Sequence, residues 1–286
     1  LKKSQERISG MEVVGLNKCF GGIQGVYKHH STVCQCDMTF GLFLPPGDKK
    51  RPFPLLWFLS GLTCTHENAM TKSGAQQKAA ELGMAIVFPD TSPRGKDVPD
   101  HDDSFLGQGA GFYVDATEEP WNRNFKMWSY IAHELQEEVI SNFPVDQNSQ
   151  GITGHSMGGH GALTLALTMP ETYRSVSAFS PIANPTNSDW GQKQFATYFG
   201  ANSKLPEQHD ATLLLDRNGY PGEILIDLGT DDPFMDLLCP DAFVSMMERT
   251  GQKGAFNMRE GYDHGYFFVT TFINDHVEHH FRCLKK

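Results

Sequence analysis

The chain has 286 residues, 39% of them hydrophobic and 20% charged, and a formal net charge of −10. These values fit a globular protein with a sizeable core and argue against a broad nucleic-acid face, which needs clustered cations. No window approaches the roughly 18 consecutive apolar residues of a membrane span, and the polar start Leu1–Arg7 is followed by no apolar signal core, so a cytoplasmic protein without membrane or nucleic-acid partners is expected.

The first 60 residues read as β-structure. Met11–Cys19, Ile23–His30 and Cys36–Leu44 are strand candidates, separated by Gly21-Gly22 and by a turn region over Ser31–Cys34. Leu55–Leu59 and Met84–Phe88 are short apolar runs suited to strands buried on both faces. Lys72–Leu82 between them reads as a helix stopped by Gly83. From Pro89 to about Asn122 the chain is rich in Gly, Pro and Asp, a length of loop that usually serves a function. Phe125, Trp128, Ala132, Leu135 and Val139 then recur at helical spacing. Val145 and Ile152 mark a strand-like run before a helix-forming stretch at Gly159–Leu167. Ser175–Phe179, Glu223–Leu228 and Phe256–Arg259 read as strands, and Ala242–Arg249 and Gly265–Phe281 as helices. The spacing therefore predicts an α/β fold with a mostly parallel central sheet, antiparallel N-terminal strands and helices on both faces. Without an internal repeat or a linker, residues 1–286 are expected to form one domain.

The chemistry centres on Gly154-His155-Ser156-Met157-Gly158, a G-x-S-x-G run between a strand and a helix. A serine on such a turn projects its hydroxyl above the sheet, and the helix N-terminus behind it offers N–H groups to a developing oxyanion. Ser156 is thus the candidate nucleophile. A serine nucleophile needs a base and a group to orient it, in the chain order Ser, Asp or Glu, His. His264 in Glu260-Gly261-Tyr262-Asp263-His264 follows a strand and precedes the last helix, the place for the base. Asp231 and Asp232 share the acidic turn after the strand at 225–228, and spacing does not separate them; Asp227, in mid-strand, would point into the sheet layer. The oxyanion donors are expected at Met157, after the nucleophile, and at Leu62 in Ser60-Gly61-Leu62-Thr63. His155 and His160 flank the nucleophile without being the base, and His276, His279 and His280 are expected on a solvated helix face. The six cysteines, Cys19, Cys34, Cys36, Cys64, Cys239 and Cys283, are expected as buried reduced thiols, with Cys34 and Cys36 on one strand face and no metal site.

Several longer runs carry a resemblance. Ser60-Gly61-Leu62-Thr63-Cys64-Thr65, Gly109-Ala110-Gly111-Phe112-Tyr113-Val114-Asp115-Ala116-Thr117, Gly154–Leu163 and Glu260–His264 are similar to the S-formylglutathione hydrolase (esterase D) family. Lys18-Cys19-Phe20-Gly21-Gly22, Asp37-Met38-Thr39-Phe40 with Leu44-Pro45-Pro46, and Trp190-Gly191-Gln192-Lys193 add to it, in the family's order. The resemblance implies an α/β-hydrolase fold and a cofactor-free serine thioesterase. It would hydrolyse S-formylglutathione to glutathione and formate in formaldehyde detoxification, with side activity on short-chain carboxylic esters. A general short-chain carboxylesterase or an acyltransferase of the same fold is the alternative. The resemblance carries the triad acid onto Asp232, places Trp190 near the acyl pocket and Cys64 close to the active site, and leaves a homodimer or higher homo-oligomer open. The chain departs from the family at Phe105, where a tryptophan is usual, at Ala183, where a cysteine is frequent, and at Asn187-Ser188-Asp189, which bears on pocket shape and acyl preference.

Overall fold

The structure, a computed structural model, describes residues 7–8, 10–48 and 50–285. Its first strands are β1 (Arg7–Ile8), β2 (Met11–Cys19), β3 (Gly22–Ser31) and β4 (Cys36–Leu44), paired antiparallel in sequence order. β2 and β3 join through Phe20 and Gly21 alone, at φ 44° and 78°. Two successive residues at positive φ give a two-residue hairpin the twist that its flanking strands need. β4 pairs antiparallel with β6 (Ala85–Pro89), and β6 pairs parallel with β5 (Phe53–Leu59). β7 (Val145–Gly154), β8 (Tyr173–Phe179), β9 (Ile224–Gly229) and β10 (Gly254–Arg259) extend the parallel part, giving one ten-stranded sheet of order β1-β2-β3-β4-β6-β5-β7-β8-β9-β10.

The apolar run of β5 is continuous because both of its faces are covered. Leu55, Trp57 and Leu59 enter one buried cluster, while Leu56 and Phe58 enter the cluster on the opposite face, the two-residue alternation of a strand. Helices α1 (His66–Lys72) and α2 (Ala75–Leu82) follow β5. The single helix expected over Lys72–Leu82 is therefore two. Gly74 at φ 74° breaks it, and a capping box between Thr65 and Asn68 starts α1 six residues ahead of the expected start. The helical spacing of 125–139 corresponds to α3 (Met127–Ser129), a π-turn over Tyr130–Glu134 and α4 (Leu135–Asn142). Glu134 on that π-turn accepts hydrogen bonds from Thr32 N–H at 2.7 Å, from Val33 N–H at 3.3 Å and from the Ser31 and Thr32 hydroxyls. Burial opposes its charge, yet these donors hold its carboxyl below the usual range. Cys34 lies in the β3–β4 turn that Glu134 organises, beside Gln35 at φ 50°, so it does not share a strand face with Cys36.

α5 (Met157–Thr168) is buried on every side, α6 (Asp189–Phe199) and α7 (Ala211–Asn218) lie in a segment to which the sequence reading assigns no element, and α8 (Met235–Leu238) and α9 (Pro240–Thr250) precede β10. α10 (Tyr266–Leu284) closes the fold. His276, His279 and His280 are on its buried face rather than a solvated one, at 0%, 6% and 0% exposure. The reason is hydrogen bonding. Both ring nitrogens of His280 reach the Ser175 and Ser177 hydroxyls of β8, at 2.7 and 2.8 Å, and His276 Nδ1 reaches Ser177 at 2.9 Å. Polar rings with such partners can be buried at little cost.

The long stretch after β6 is ordered without regular structure. Arg94 pairs with Asp90 at 3.0 Å and donates to Cys64 O at 2.7 Å. Ser92 Oγ accepts from Gly109 N–H at 2.7 Å. On α6, the Tyr198 hydroxyl accepts from Gly107 N–H and donates to Ala110 O, at 3.0 and 2.7 Å, and Tyr198 O accepts from the N–H groups of Thr117 and Glu118. No helix of the described residues is long and apolar enough to cross a membrane. Among the six cysteines Cys34 is buried and the other five are half-buried.

Candidate active site

Ser156 sits between the end of β7 and the start of α5, at φ 60° and ψ −119°. A non-glycine residue there is strained, and the turn is fixed from all sides. His155 N–H donates to Leu59 O on β5 at 3.0 Å, and Ser156 N–H donates to Phe179 O on β8 at 2.9 Å. The glycines of the motif are required by contact. A Cβ on Gly154 would lie 2.1 Å from Gly158 O, and one on Gly158 would lie 2.0 Å from Leu59 O.

His264 and Asp232 come together from the loops after β10 and β9. His264 Nδ1 lies 2.6 Å from Asp232 Oδ2, and the Asp232 side chain is fully buried. Asp232 Oδ1 also accepts from Phe234 N–H at 2.9 Å. Burial raises the cost of its charge, but the His264 hydrogen bond and charge, with Phe234 N–H and Ser180, outweigh it and hold the carboxyl below its ordinary value. With Nδ1–H directed at this carboxylate, Nε2 is the ring nitrogen free to accept a proton. Asp231, open in the sequence, lies on the same turn. It is exposed, and its carboxylate accepts from the Thr230 hydroxyl instead. Asp227 is buried in the sheet layer as its mid-strand place requires, paired with Arg259 at 2.6 Å.

The two neighbouring histidines are buried. His155 is buried, its ring centroid 4.7 Å from that of His264. Burial first, then the His264 charge, pulls its pKa down to about 3. His160 is fully buried, stacks on Phe112 at 4.4 Å, and is likewise held at about 3 by burial. Neither titrates near neutral pH.

The loop bearing Leu62 presses directly against the nucleophile turn. A Cβ on Gly61 would be 3.1 Å from Ser156 Cβ and 3.2 Å from His155 O, so glycine is what permits the approach. Thr63, at φ 64°, donates its N–H to Gly109 O, and Cys64 N–H donates to Gly61 O. Leu62 N–H, between them, has no partner in these loop bonds. Met157 N–H opens α5, where the first amides of a helix lack internal acceptors. Cys64 is half-buried on the same loop, its thiol pushed up by burial, with the positive charge of Lys72 as the largest opposing influence.

Trp190, near the start of α6, is half-buried within an aromatic row. Its ring lies 5.1 Å from Phe105 and 5.0 Å from Phe234, and Phe234 meets the His264 ring edge-on at 4.9 Å. Phe234 and Tyr266 were not expected from the sequence. Their positions, two residues after Asp232 and two after His264, were the available signal.

A strained serine at a strand-to-helix turn, a buried aspartate–histidine pair and a mostly parallel sheet define a serine hydrolase of the α/β-hydrolase fold. The family model described as putative esterase matches residues 31–282. S-formylglutathione hydrolase of Paracoccus denitrificans (strain Pd 1222) is 59% identical, over 94% of this chain and 96% of its own length. That of Rattus norvegicus is 47% identical, over 96% and 99%. The solved structure of an S-formylglutathione hydrolase from Agrobacterium tumefaciens superposes with a TM-score of 0.93 at 43% identity, over 95% of this chain and 99% of that one. The chain belongs to the S-formylglutathione hydrolase family.

Proposed function

We propose that this chain is a cytoplasmic thioesterase that hydrolyses S-formylglutathione to glutathione and formate, the formate-releasing step of formaldehyde detoxification, with side activity on short-chain esters. The observation that carries the reading is the 2.6 Å His264–Asp232 contact, with His155 of the strained Ser156 turn 4.7 Å from the His264 ring. In this reading Ser156 Oγ attacks the formyl carbon while His264 Nε2 takes the hydroxyl proton, and Asp232 holds the tautomer and offsets the imidazolium charge. The N–H groups of Leu62 and Met157 stabilise the tetrahedral oxyanion, a donor of this kind being worth about 3–4 kcal/mol of barrier. Collapse breaks the C–S bond. Glutathione leaves as a thiolate, favourable for a thiol of pKa about 8.5, and takes up the proton from His264. Water then gives one proton to His264 and attacks the formyl-enzyme, and the second collapse returns that proton to Ser156 Oγ and releases formic acid, which ionises to formate in solution. Side chains and backbone amides carry every step, so no cofactor is invoked.

The row from Phe234 to Trp190 and Phe105 supports a narrow acyl site, with Trp190 and Cys64 as binding-site residues. A single domain over residues 1–286 belongs to the same reading. Steady-state hydrolysis of S-formylglutathione beside acetate and butyrate esters tests it. A higher kcat/KM for the formyl thioester is expected. Preference for the longer esters would identify a general carboxylesterase, and product appearing on an added alcohol an acyltransferase.

A further inference from the structure

A chain of formal charge −10 must supply local cations to an anionic substrate. Two cations close to the site are already engaged: Arg94 by Asp90, and Lys193, three residues after Trp190, by Asp103. Lys72, at the end of α1, is exposed and forms no salt bridge among the described residues. Its ammonium lies 5.9 Å from the centroid of the Tyr266 ring. That ring in turn lies 5.5 Å from His155, which touches His264. Lys72 is thus linked to His264 through two intervening rings, and its charge is felt at Cys64 on the oxyanion loop.

Lys72, Tyr266, Phe267 and Thr270 line a groove of about 520 Å³, within the roughly 300–1,000 Å³ of small-ligand sites. The Thr270 hydroxyl donates to Lys72 O and so fixes the end of α1 against α10. Phe267 is 90% exposed, although it stands three residues from His264. An aromatic left in water beside a lysine without a counter-ion is a surface suited to a small organic anion.

We infer that this groove is the subsite for the glycine carboxylate of a glutathione thioester, with Lys72 as its cation and Phe267 as the platform for the adjoining peptide. The inference rests on the thioesterase reading above. The choice of the glycine end follows from charge. The γ-glutamyl end carries an ammonium and a carboxylate together and needs a mixed partner, whereas the glycine end is a net anion and matches a single lysine.

The test compares S-formylglutathione with its glycine ethyl ester on the wild type, Lys72→Gln and Lys72→Arg. The wild type should favour the free acid by about two- to fivefold in KM, the range for an ion pair at an exposed site. Lys72→Gln should treat acid and ester alike, and Lys72→Arg should keep most of the preference. Discrimination of the wild-type size in Lys72→Gln would overturn the subsite. If S-formylglutathione is not hydrolysed at all, the thioesterase reading fails separately. The subsite is then read from inhibition of p-nitrophenyl acetate hydrolysis by S-methylglutathione and its ethyl ester. There, loss of the acid preference in Lys72→Gln supports the subsite, and its persistence overturns it.

Discussion

At the scale of single residues, the acidic pair offers the sharpest contrast. Asp231 and Asp232 are neighbours, but one faces solvent and the other holds His264 at 2.6 Å. Asp232→Asn presents an amide to Nδ1 and favours the wrong tautomer, so kcat should fall by about 10⁴-fold. Asp231→Asn should stay within a few-fold of wild type; a reversed order in steady-state assays would move the triad acid. Ser156→Ala should abolish both hydrolysis and labelling by a fluorophosphonate while leaving the thermal melt in place. Trp190 is a subtler case, because it stands two rings from His264 along the aromatic row. If that row bounds the acyl site, Trp190→Ala should raise the ratio of butyrate to acetate turnover, each added methylene being worth about 0.8 kcal/mol when buried. An unchanged ratio with a lowered melting temperature would make the residue a packing element alone.

At the scale of elements, the contact between the Gly61 loop and the Ser156 turn would govern the proposed oxyanion site. A methyl at Gly61 would meet Ser156 Cβ at 3.1 Å and His155 O at 3.2 Å, closer than side chains ordinarily pack. Gly61→Ala should therefore push the loop off the turn by a few tenths of an ångström. It should lower kcat about 10–100-fold, since a displaced donor forfeits much of its stabilisation, while Km for short esters changes little. A wild-type kcat would show that the loop can give without cost. The same elements show what the sequence makes legible. β2 and β4 fall on their expected ends because apolar alternation and turn residues frame them, and the G-x-S-x-G turn announces itself through its glycines. The α1–α2 break was hidden because Gly74 sits inside an otherwise helix-forming run. The buried faces of α6 and α7 keep helical spacing, but they include Gly191, Gln194 and Thr212, so they do not read as apolar stripes in the sequence. The α10 histidines were misplaced because their partners, Ser175 and Ser177, lie about a hundred residues away on β8.

For the whole molecule, buried histidines set the acid limit. Burial pulls the pKa of His155 and His160 down to about 3, and those of His209 and His279 to about 4. The unfolded chain, with histidines near about 6.5, binds these protons first. The stability they carry is thus complete above about pH 6.5 and is lost as pH falls from there toward the folded values. Each contributes a slope of up to about 1.4 kcal/mol per pH unit. Urea midpoints should fall steeply between pH 7 and 5. His160→Phe, which keeps a flat ring against Phe112, should flatten that limb by one proton's worth; an unaltered slope would place the acid sensitivity elsewhere.

The tie made by Tyr198 bears on motion. One side chain and its carbonyl anchor Gly107, Ala110, Thr117 and Glu118 to the helix that also carries Trp190. A segment with so little regular structure would ordinarily exchange its amide hydrogens within seconds, yet here the amides of Gly107, Thr117 and Glu118 are held from a helix. They should exchange on the timescale of α6 itself, and Tyr198→Phe should release Gly107 while Thr117 stays protected. The segment beside the catalytic groups would then behave as fixed wall rather than as a flap, and turnover would not wait on its opening.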